Sequence, residues 1–304
     1  MAKPGSLADA LRLGCGQPVS RLERLMLLEH VLGKPREYLL AHDDELLSCN
    51  EQAAYSELLK RRSNGQPMAY LIGQREFFGL GFAINDQVLI PRPETEWLVH
   101  AAIRMLPEGS SAIDLGTGSG AIAVSLAFHR PDVRLMACDQ STKALTLAAQ
   151  NAKRLLGYRH RIEFFSSDWW NRVPEEPLAL ALANPPYLAF DDPHLAQGDL
   201  RFEPRLALSD GGNGLGAIEA ITAGFAYRSA IGLIEDPAVL LIEHGHLQAE
   251  AVKTLGLRHR LFHLLTASDA AGHPRVCCLA AKEPSAEMLR QLKDLCLTWS
   301  SGTA

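Results

Sequence analysis

The chain has 304 residues, of which 47% are hydrophobic, and this length and apolar content can fill the cores of two domains. Its formal net charge of −5 argues against an extensive basic surface that binds the phosphates of a nucleic acid. No run approaches the roughly 18 to 20 apolar residues of a membrane span, and the amino terminus carries no apolar signal segment. We therefore expect a cytoplasmic protein without membrane contact.

The six cysteines show no Cys-x-x-Cys spacing, and the histidines are scattered without the spacing of metal ligands. We therefore expect reduced thiols, mostly buried, and no bound metal. The cysteines are Cys15, Cys49, Cys138, Cys277, Cys278 and Cys296.

Two helix-start signals lie in the first quarter of the chain. Ser20-x-x-Glu23 and Ser48-x-x-Glu51 are capping boxes, in which the serine and the glutamate each satisfy a free backbone N–H at the start of a helix. The first predicts a helix whose apolar stripe begins at Leu22 and that ends at Gly33. The second predicts another helix directly after it. Residues 1–74 are therefore predicted to form a small helical bundle.

The rest of the chain changes pattern twice. Residues 75–90 hold two short apolar stretches interrupted by glycines, which predicts a β-hairpin linker. From Pro91 onward helical and strand patterns alternate, as in a doubly wound α/β sheet. Residues 91–283 are predicted to form this domain, and residues 284–304 extend past it with the spacing of one amphipathic helix. The predicted strands lie at 111–115, 133–138, 162–166, 178–183, 238–243, 260–266 and 275–281.

A glycine-rich loop follows the first of these strands. It reads Asp114-Leu115-Gly116-Thr117-Gly118-Ser119-Gly120 and opens a helix predicted from Ala121 to Phe128. Asp139 ends the next strand, where its carboxylate can bind two ribose hydroxyls. The pattern fits NAD or S-adenosylmethionine, and Asp114 favours the second because its charge would repel a pyrophosphate. A tight turn without ligand, with Asp139 as a helix N-cap, is the structural alternative.

The second candidate site is Asn184-Pro185-Pro186-Tyr187, directly after the continuous apolar strand 178–183. Ligands bind at this carboxyl edge in open α/β sheets. The prolines fix the backbone and free the carbonyls before them from the sheet. The Asn184 side-chain oxygen and the Pro185 carbonyl can then each accept one hydrogen of a planar NH2 group, while Tyr187 stacks on its face. A plain proline-rich turn is the alternative.

These two motifs resemble those of class I methyltransferases that alkylate a planar nitrogen, a group that includes DNA adenine methyltransferases. Phe77–Glu96, Gly198–Gly214 and Asp269–Val276 narrow the resemblance to the release factor glutamine methyltransferases, often called the HemK family. Ribosomal-protein glutamine methyltransferases are close relatives. They usually have a His where this chain has Phe202, and Glu-Val-Gly where it has Glu243-His244-Gly245.

The resemblance implies a seven-stranded Rossmann-like sheet with an antiparallel last strand, and a helical domain that recognises the substrate. It implies methyl transfer from S-adenosylmethionine, with S-adenosylhomocysteine as product, to the glutamine of the Gly-Gly-Gln loop of a peptide chain release factor. The expected cofactor-binding residues are Asp114, Gly116, Thr117, Gly118, Ser119, Gly120, Asp139, Trp169 and Asn184. The expected catalytic residues are Asn184, Pro185 and Tyr187, and Pro186 joins them in substrate binding. We expect a monomer that does not contact nucleic acid directly.

Other functions stay open from the sequence. A nucleic-acid amino methyltransferase would apply the same chemistry to a flipped base, but should show a basic face or an added recognition domain. An NAD-dependent oxidoreductase would explain the glycines but not Asn184-Pro185-Pro186-Tyr187. A non-enzymatic module that binds translation factors would keep the fold without turnover. Trp169 also fits a core or surface aromatic, and a lone histidine such as His244 is more often structural than a catalytic base.

Overall fold

The computed structural model describes residues 5–12 and 19–300, and the chain divides into two compact units. The first unit comprises residues 1–74 and 196–202, and the second comprises residues 75–195 and 203–304. Of the cysteines in the described ranges, Cys138, Cys277 and Cys278 are buried, Cys296 is half-buried and Cys49 is exposed. Cys15 lies outside the described residues.

The first unit is helical over its described residues. Its capping boxes form as predicted: the Ser20 hydroxyl accepts a hydrogen bond from the Glu23 N–H at 3.2 Å, and Glu23 accepts one from the Ser20 N–H at 2.7 Å. The serine and glutamate of the second box, Ser48 and Glu51, make the same pair of bonds. The helices are α1 (Leu7–Arg12), α2 (Arg21–Leu32), α3 (Arg36–Ala41), α4 (Cys49–Ser63) and α5 (Met68–Ile72).

The buried face of α2 differs from the predicted stripe. Leu22, predicted to begin the stripe, is 53% exposed, whereas Leu25, Leu27 and Leu28 are buried. The prediction was wrong because the run from Leu25 to Leu28 is apolar throughout, so that several faces fit a helical period equally well. Packing against α3, α4 and α5 selects the face that is buried.

The linker forms the predicted hairpin from β1 (Gln74–Phe77) and β2 (Leu80–Ala83). Its two-residue turn places Phe78 at φ 51° and Gly79 at φ 74°. Positive φ at both central residues matches the twist of a hairpin, because it continues the right-handed twist of the two strands.

The second unit is built on a seven-stranded sheet with strand order β5-β4-β3-β6-β7-β9-β8. Strands β3 to β7 are parallel, and β9 runs antiparallel to both β7 and β8, as the resemblance implied. The strands are β3 (Ser111–Leu115), β4 (Arg134–Asp139), β5 (Ile162–Ser166), β6 (Leu178–Ala183), β7 (Ile234–Glu243), β8 (Phe262–Ser268) and β9 (Pro274–Ala280). Every residue of the central strand β6 is buried, which explains its continuous apolar run.

Seven α-helices accompany this sheet in the described part of the unit. They are α6 (Glu96–Met105), α7 (Ala121–His129), α8 (Thr142–Leu156), α9 (Arg205–Leu208), α10 (Gly216–Ala230), α11 (Ala249–Arg258) and α12 (Ala286–Ser300). In the carboxyl-terminal helix α12, Leu292 and Leu295 are buried; residues 301–304 lie outside the described residues. Within the ranges that the structure covers, no helix is both long and apolar enough to cross a membrane.

The chain order of the strands creates one switch point that matters for ligands. From β3 the chain moves outward through β4 to β5, then returns to place β6 on the other side of β3. Loops that leave β3 and β6 therefore diverge and open a crevice at their carboxyl ends. The glycine loop follows β3 and the Asn-Pro-Pro-Tyr segment follows β6, so the fold brings the two predicted motifs to the same crevice.

Candidate active site at the switch point

A cavity of about 290 Å³ occupies this crevice. Its size is near the lower end of the range for small-molecule sites, roughly 300 to 1,000 Å³. Asp114, Gly120, Pro185 and Tyr187 are not among the residues that line it. The predicted site residues that do line it are Gly116, Thr117, Gly118, Ser119, Asp139, Trp169, Asn184 and Pro186.

Asp114 lies on β3 behind the glycine loop and is completely buried. Its Oδ2 accepts hydrogen bonds from the Thr117 hydroxyl at 2.7 Å and the Ala123 N–H at 3.2 Å. Its Oδ1 has no hydrogen-bond partner among the described residues. Burial raises the pKa of Asp114 to about 7, and the nearby charge of Asp139 acts in the same direction. A ligand cation or an ordered water would compensate this oxygen.

The glycine loop uses its lack of side chains in two ways. Gly116 has φ 78°, and a Cβ there would lie 3.1 Å from the Trp169 ring. Gly118 has φ 55°, and a side chain there would meet no atom within 4 Å, so its backbone borders open space. Gly120 begins α7 where that helix lies close to Ala148 of α8. The loop thus exposes backbone to the cavity and packs an aromatic ring on itself.

Asp139 ends β4 with both carboxylate oxygens on backbone donors. Oδ2 accepts from the Gly118 N–H at 2.9 Å, and Oδ1 accepts from the Ser141 N–H at 2.8 Å. Ser141, whose hydroxyl accepts from the Ala144 N–H, is the N-cap of α8, so the N-cap alternative for Asp139 is wrong. Burial raises the pKa of Asp139, while these N–H groups lower it. The carboxylate lines the cavity with acceptor capacity to spare.

Trp169 adopts φ 46°, in the left-handed region that a bulky residue rarely occupies. Its carbonyl accepts a hydrogen bond from the Ser167 hydroxyl at 2.7 Å, which helps to hold this conformation. The ring packs on the sheet core and also lines the cavity next to Gly116. Such strain is typical of functional positions, although the ring also contributes to the core.

Asn184 is the first residue after β6, and its amide is held from one side only. Its Nδ2 donates to the Thr95 hydroxyl at 3.0 Å, and that hydroxyl donates to Glu243 Oε2 at 2.7 Å. The Asn184 Oδ1 is buried and has no hydrogen-bond partner among the described residues. Glu243 is 1% exposed, and burial raises its pKa to about 7 against the lowering effect of the Thr95 hydrogen bond.

The last residue of the motif is fixed by the same carboxylate. The Tyr187 hydroxyl donates to Glu243 Oε1 at 3.4 Å, and the Tyr187 carbonyl accepts from Gln248 Nε2 at 2.9 Å. Burial and the charge of Glu243 raise the pKa of Tyr187. Of the two prolines between Asn184 and Tyr187, the first is buried and the second lines the cavity.

Glu203 joins two segments that border the cavity. Its buried carboxylate accepts hydrogen bonds from the Ile90 N–H at 3.0 Å and from the Arg92 guanidinium. Pro91 on one segment and Pro204 on the other both line the cavity. Glu203 therefore has an architectural role at this wall.

The sequence interpretation gave no individual role to Thr95, Glu243 or Gln248, although all three lie in stretches that resemble the family. One signal was present: Glu243 is a charged residue directly after the apolar run 238–242 that forms the second half of its strand. His244, the next residue, is buried and outside the cavity lining, with Nδ1 2.9 Å from the Gly245 carbonyl oxygen. Burial lowers its pKa, which agrees with a structural rather than a general-base histidine.

The cavity lies at the switch point of the sheet, between the glycine loop with its acidic residue and the Asn-Pro-Pro-Tyr segment. This arrangement defines a class I methyltransferase. Two family models match the chain: "Methyltransferase small domain" over residues 95–213 and "PrmC N-terminal domain" over residues 12–73. A solved methyltransferase from Pyrococcus furiosus has a TM-score of 0.50 to this chain at 14% identity, and the match covers 75% of this chain and 100% of that one. This likeness shows the fold.

The chain belongs to the release factor glutamine methyltransferase family. A relative of that name from Bordetella pertussis is 45% identical over 84% of this chain and 93% of its own length. One from Burkholderia pseudomallei is 45% identical over 83% of this chain and 88% of its own length. One from Neisseria gonorrhoeae is 42% identical over 84% and 92%, respectively.

Proposed function

We propose that this protein transfers a methyl group from S-adenosylmethionine to the side-chain amide nitrogen of the glutamine in the Gly-Gly-Gln loop of peptide chain release factors. S-adenosylhomocysteine is the second product. The observation that carries the proposal is the Asn184 Oδ1, a buried acceptor without a partner in the described residues, at the cavity that the glycine loop also borders. Membership of the family supports the choice of substrate.

The residues around the cavity fit this cofactor. Asp114 would balance its positive charge through an ordered water, because one of its buried oxygens lacks a partner among the described residues and the residue itself does not line the cavity. Asp139 would accept hydrogen bonds from the ribose hydroxyls, and Trp169 would flank the adenine. Gly116 to Gly120 would follow the ligand with their backbone. When bound, S-adenosylmethionine supplies a methyl group on a positively charged sulfur.

The acceptor side must orient a weak nucleophile. The glutamine amide nitrogen is delocalised and barely basic, so we assign most of the catalysis to positioning; such alignment can supply up to ~7 to 11 kcal/mol in favourable intramolecular cases. Asn184 Oδ1 and the Pro185 carbonyl would each accept one NH2 hydrogen, and Tyr187 and Pro186 would border the amide plane. These acceptors stabilise the positive charge that develops on nitrogen. The amide loses a proton after transfer, so no dedicated base is needed.

The helical residues 1–74 would recognise the release factor, and residues 75–90, 91–283 and 284–304 would be linker, methyltransferase domain and extension. We propose that the protein acts as a monomer in the cytoplasm, where release factors work, without binding nucleic acid directly. The formal net charge of −5 supports a protein substrate over nucleic acid.

The test is to incubate the protein with labelled S-adenosylmethionine in three separate reactions, which contain release factors, ribosomal proteins or nucleic acids. The label is then mapped by mass spectrometry. We expect one methyl group on the glutamine of the Gly-Gly-Gln loop. A release factor with alanine at that glutamine is the control and should stay unlabelled. Label on a nucleic-acid base or on a ribosomal protein, with none on release factors, would overturn the proposal.

A further inference from the structure

Three side chains from distant parts of the chain meet behind the acceptor side of the cavity. β6 and β7 pair in parallel with Ala183 opposite Ile242, so Asn184 and Glu243 occupy neighbouring strand ends. Thr95 ends a short 3-10 turn before α6, and its hydroxyl bonds to both side chains. All three are polar groups in a buried or half-buried setting, where the direction of each hydrogen bond matters.

The direction of these bonds follows from what each group can donate. In its ionised form the Glu243 carboxylate only accepts, so the Thr95 hydroxyl then gives its one hydrogen to Glu243, as the structure shows. The Thr95 oxygen can then only accept, and it takes a hydrogen from Asn184 Nδ2. That choice leaves the Asn184 Oδ1 free of partners in the described residues. The two ends of an asparagine amide have nearly the same shape, so packing alone would not select this orientation.

We propose that Glu243 and Thr95 are positioning residues that set the Asn184 amide so that its oxygen, not its NH2 group, meets the acceptor amide. In the opposite orientation an NH2 group would face the NH2 group of the substrate, and two donors cannot bond to each other. The other oxygen of Glu243 accepts a hydrogen bond from the Tyr187 hydroxyl. One carboxylate is therefore bonded to the last residue of the Asn-Pro-Pro-Tyr motif directly and to the first through Thr95. The catalytic consequence rests on the proposed function; the orientation does not.

The environment of Glu243 argues against a stabilising role. Its carboxylate is buried, and no ion pair joins it to a lysine, arginine or histidine within the ranges that the structure describes; Arg275, which pairs with Asp269, acts on it only from a longer distance. A buried charge without an ion-pair partner is costly, and a neutral group of the same shape avoids that cost. A role in orientation explains a charge in this place, because only a pure acceptor fixes the Thr95 hydrogen.

The first experiment compares Thr95→Val with Thr95→Ser. Valine keeps the shape and removes the hydroxyl. We therefore expect kcat for release factor methylation to fall about 10- to 100-fold, because the hydrogen bonds that orient Asn184 are lost. KM for the release factor and the Kd for S-adenosylmethionine, measured by calorimetry, should change less than about threefold. Serine keeps the hydroxyl and should recover kcat to within about threefold.

Thr222→Val is the matched control. Thr222 is also fully buried and its hydroxyl also donates, to the Ile218 carbonyl at 2.7 Å, but it lies in α10 outside the cavity lining. We expect this variant to lose thermal stability about as much as Thr95→Val and to keep wild-type kcat. A similar kcat in both valine variants would mean that the Thr95 hydroxyl has only a packing role.

Glu243→Gln separates orientation from stability. The glutamine NH2 can donate to Thr95, which frees the Thr95 hydrogen to point at Asn184 and allows the amide to turn over. We expect kcat to fall about tenfold or more while the melting temperature stays equal or rises. A melting temperature that falls in step with kcat would assign Glu243 to the scaffold and overturn the inference.

A crystal structure of Thr95→Val gives a readout that needs no activity. Neutron diffraction from the crystal locates the amide hydrogens and so distinguishes Oδ1 from Nδ2. The Asn184 amide should turn over or shift from its wild-type arrangement, and an amide with unchanged position and unchanged hydrogens would overturn the inference whatever the kinetics show. Kinetics of Thr95→Ser as slow as those of Thr95→Val would do the same. If wild-type protein does not methylate release factors but the amide moves in Thr95→Val, the proposed substrate is wrong while the orientation stands.

Discussion

The carboxylates on the two sides of the cavity differ in how far along the chain their hydrogen-bond partners lie. On the cofactor side, which comprises residues 114–120, Asp139 and Trp169, the acids accept from groups at most 21 residues away. Asp114 accepts from Thr117 and Ala123, and Asp139 accepts from Ser141 and Gly118. On the acceptor side, formed by Thr95, Asn184, Tyr187 and Glu243, each bond joins distant segments; Thr95 and Glu243 are 148 residues apart. The bonds of the cofactor side thus join consecutive elements of the chain and those of the acceptor side join distant ones, so the two sides should respond separately to substitution.

The largest effect should come from the substrate. Replacing the acceptor glutamine of a release factor by asparagine keeps the amide but removes one methylene, which as a contact is worth only ~1 to 3 kcal/mol. The shortening also withdraws the nitrogen from the methyl group, and misplacement by ~1 Å can itself cost about 100-fold. Methylation, measured by mass spectrometry, should nearly disappear. Binding of S-adenosylmethionine should be unaffected, because the enzyme itself is unchanged. Efficient methylation of the asparagine variant would show that the acceptor side does not fix the amide position.

The next largest effect should follow from Asn184→Ala. The variant loses the preorganised acceptor on one side of the cavity, and one such contact is worth ~2.7 to 4 kcal/mol, so kcat should fall about 100-fold or more. The Kd for S-adenosylmethionine should stay within about tenfold, because the glycine loop is unchanged. Asn171→Ala, at an exposed position outside the cavity lining, is the control. Wild-type turnover in Asn184→Ala would remove the proposed role of this residue.

The contrast also explains how far the sequence could predict the molecule. The glycine loop and its acid form a local pattern, and β6 was predicted at its observed bounds because a strand buried on both faces is apolar throughout. The predicted start of β7 at 238 was late, since Glu235, Asp236 and Pro237 have the composition of a turn although the strand begins at Ile234.

The bonds that orient Asn184 were beyond sequence reasoning. Thr95 lies 89 residues before Asn184, and nothing in the spacing of a proline-rich turn marks its hydroxyl as a partner of a strand end elsewhere. Only the register of β6 against β7 brings Asn184 and Glu243 to neighbouring strand ends. Motif spacing in the sequence therefore identifies groups that act on a ligand. The groups that orient them can be identified only when the order and register of the strands are known.

A smaller effect is expected on the cofactor side. Asp139→Ala should weaken S-adenosylmethionine binding about ten- to hundredfold, since hydrogen bonds to a charged group contribute ~1.5 to 3 kcal/mol. At saturating cofactor kcat should change much less, which is the reverse of the pattern expected for Asn184→Ala. Asp132→Ala, which also loses a carboxylate bonded to a backbone N–H but lies outside the cavity lining, is the control in the same calorimetric titration. An unchanged Kd would exclude Asp139 from the ribose site.

The smallest effect concerns pH. Burial raises the pKa of Asp114 to about 7 in the free protein, and a bound cation would favour the ionised form and lower that pKa. A carboxyl that is protonated in the free protein must then release its proton on binding, so affinity for S-adenosylmethionine should rise as pH increases from 6 to 7.5, by up to about tenfold. Calorimetry in two buffers of different ionisation enthalpy should detect the released proton at pH 6. Asp114→Asn should bind more weakly with neither effect; if proton release persisted in this variant, Asp139, whose pKa is also raised, would be its source.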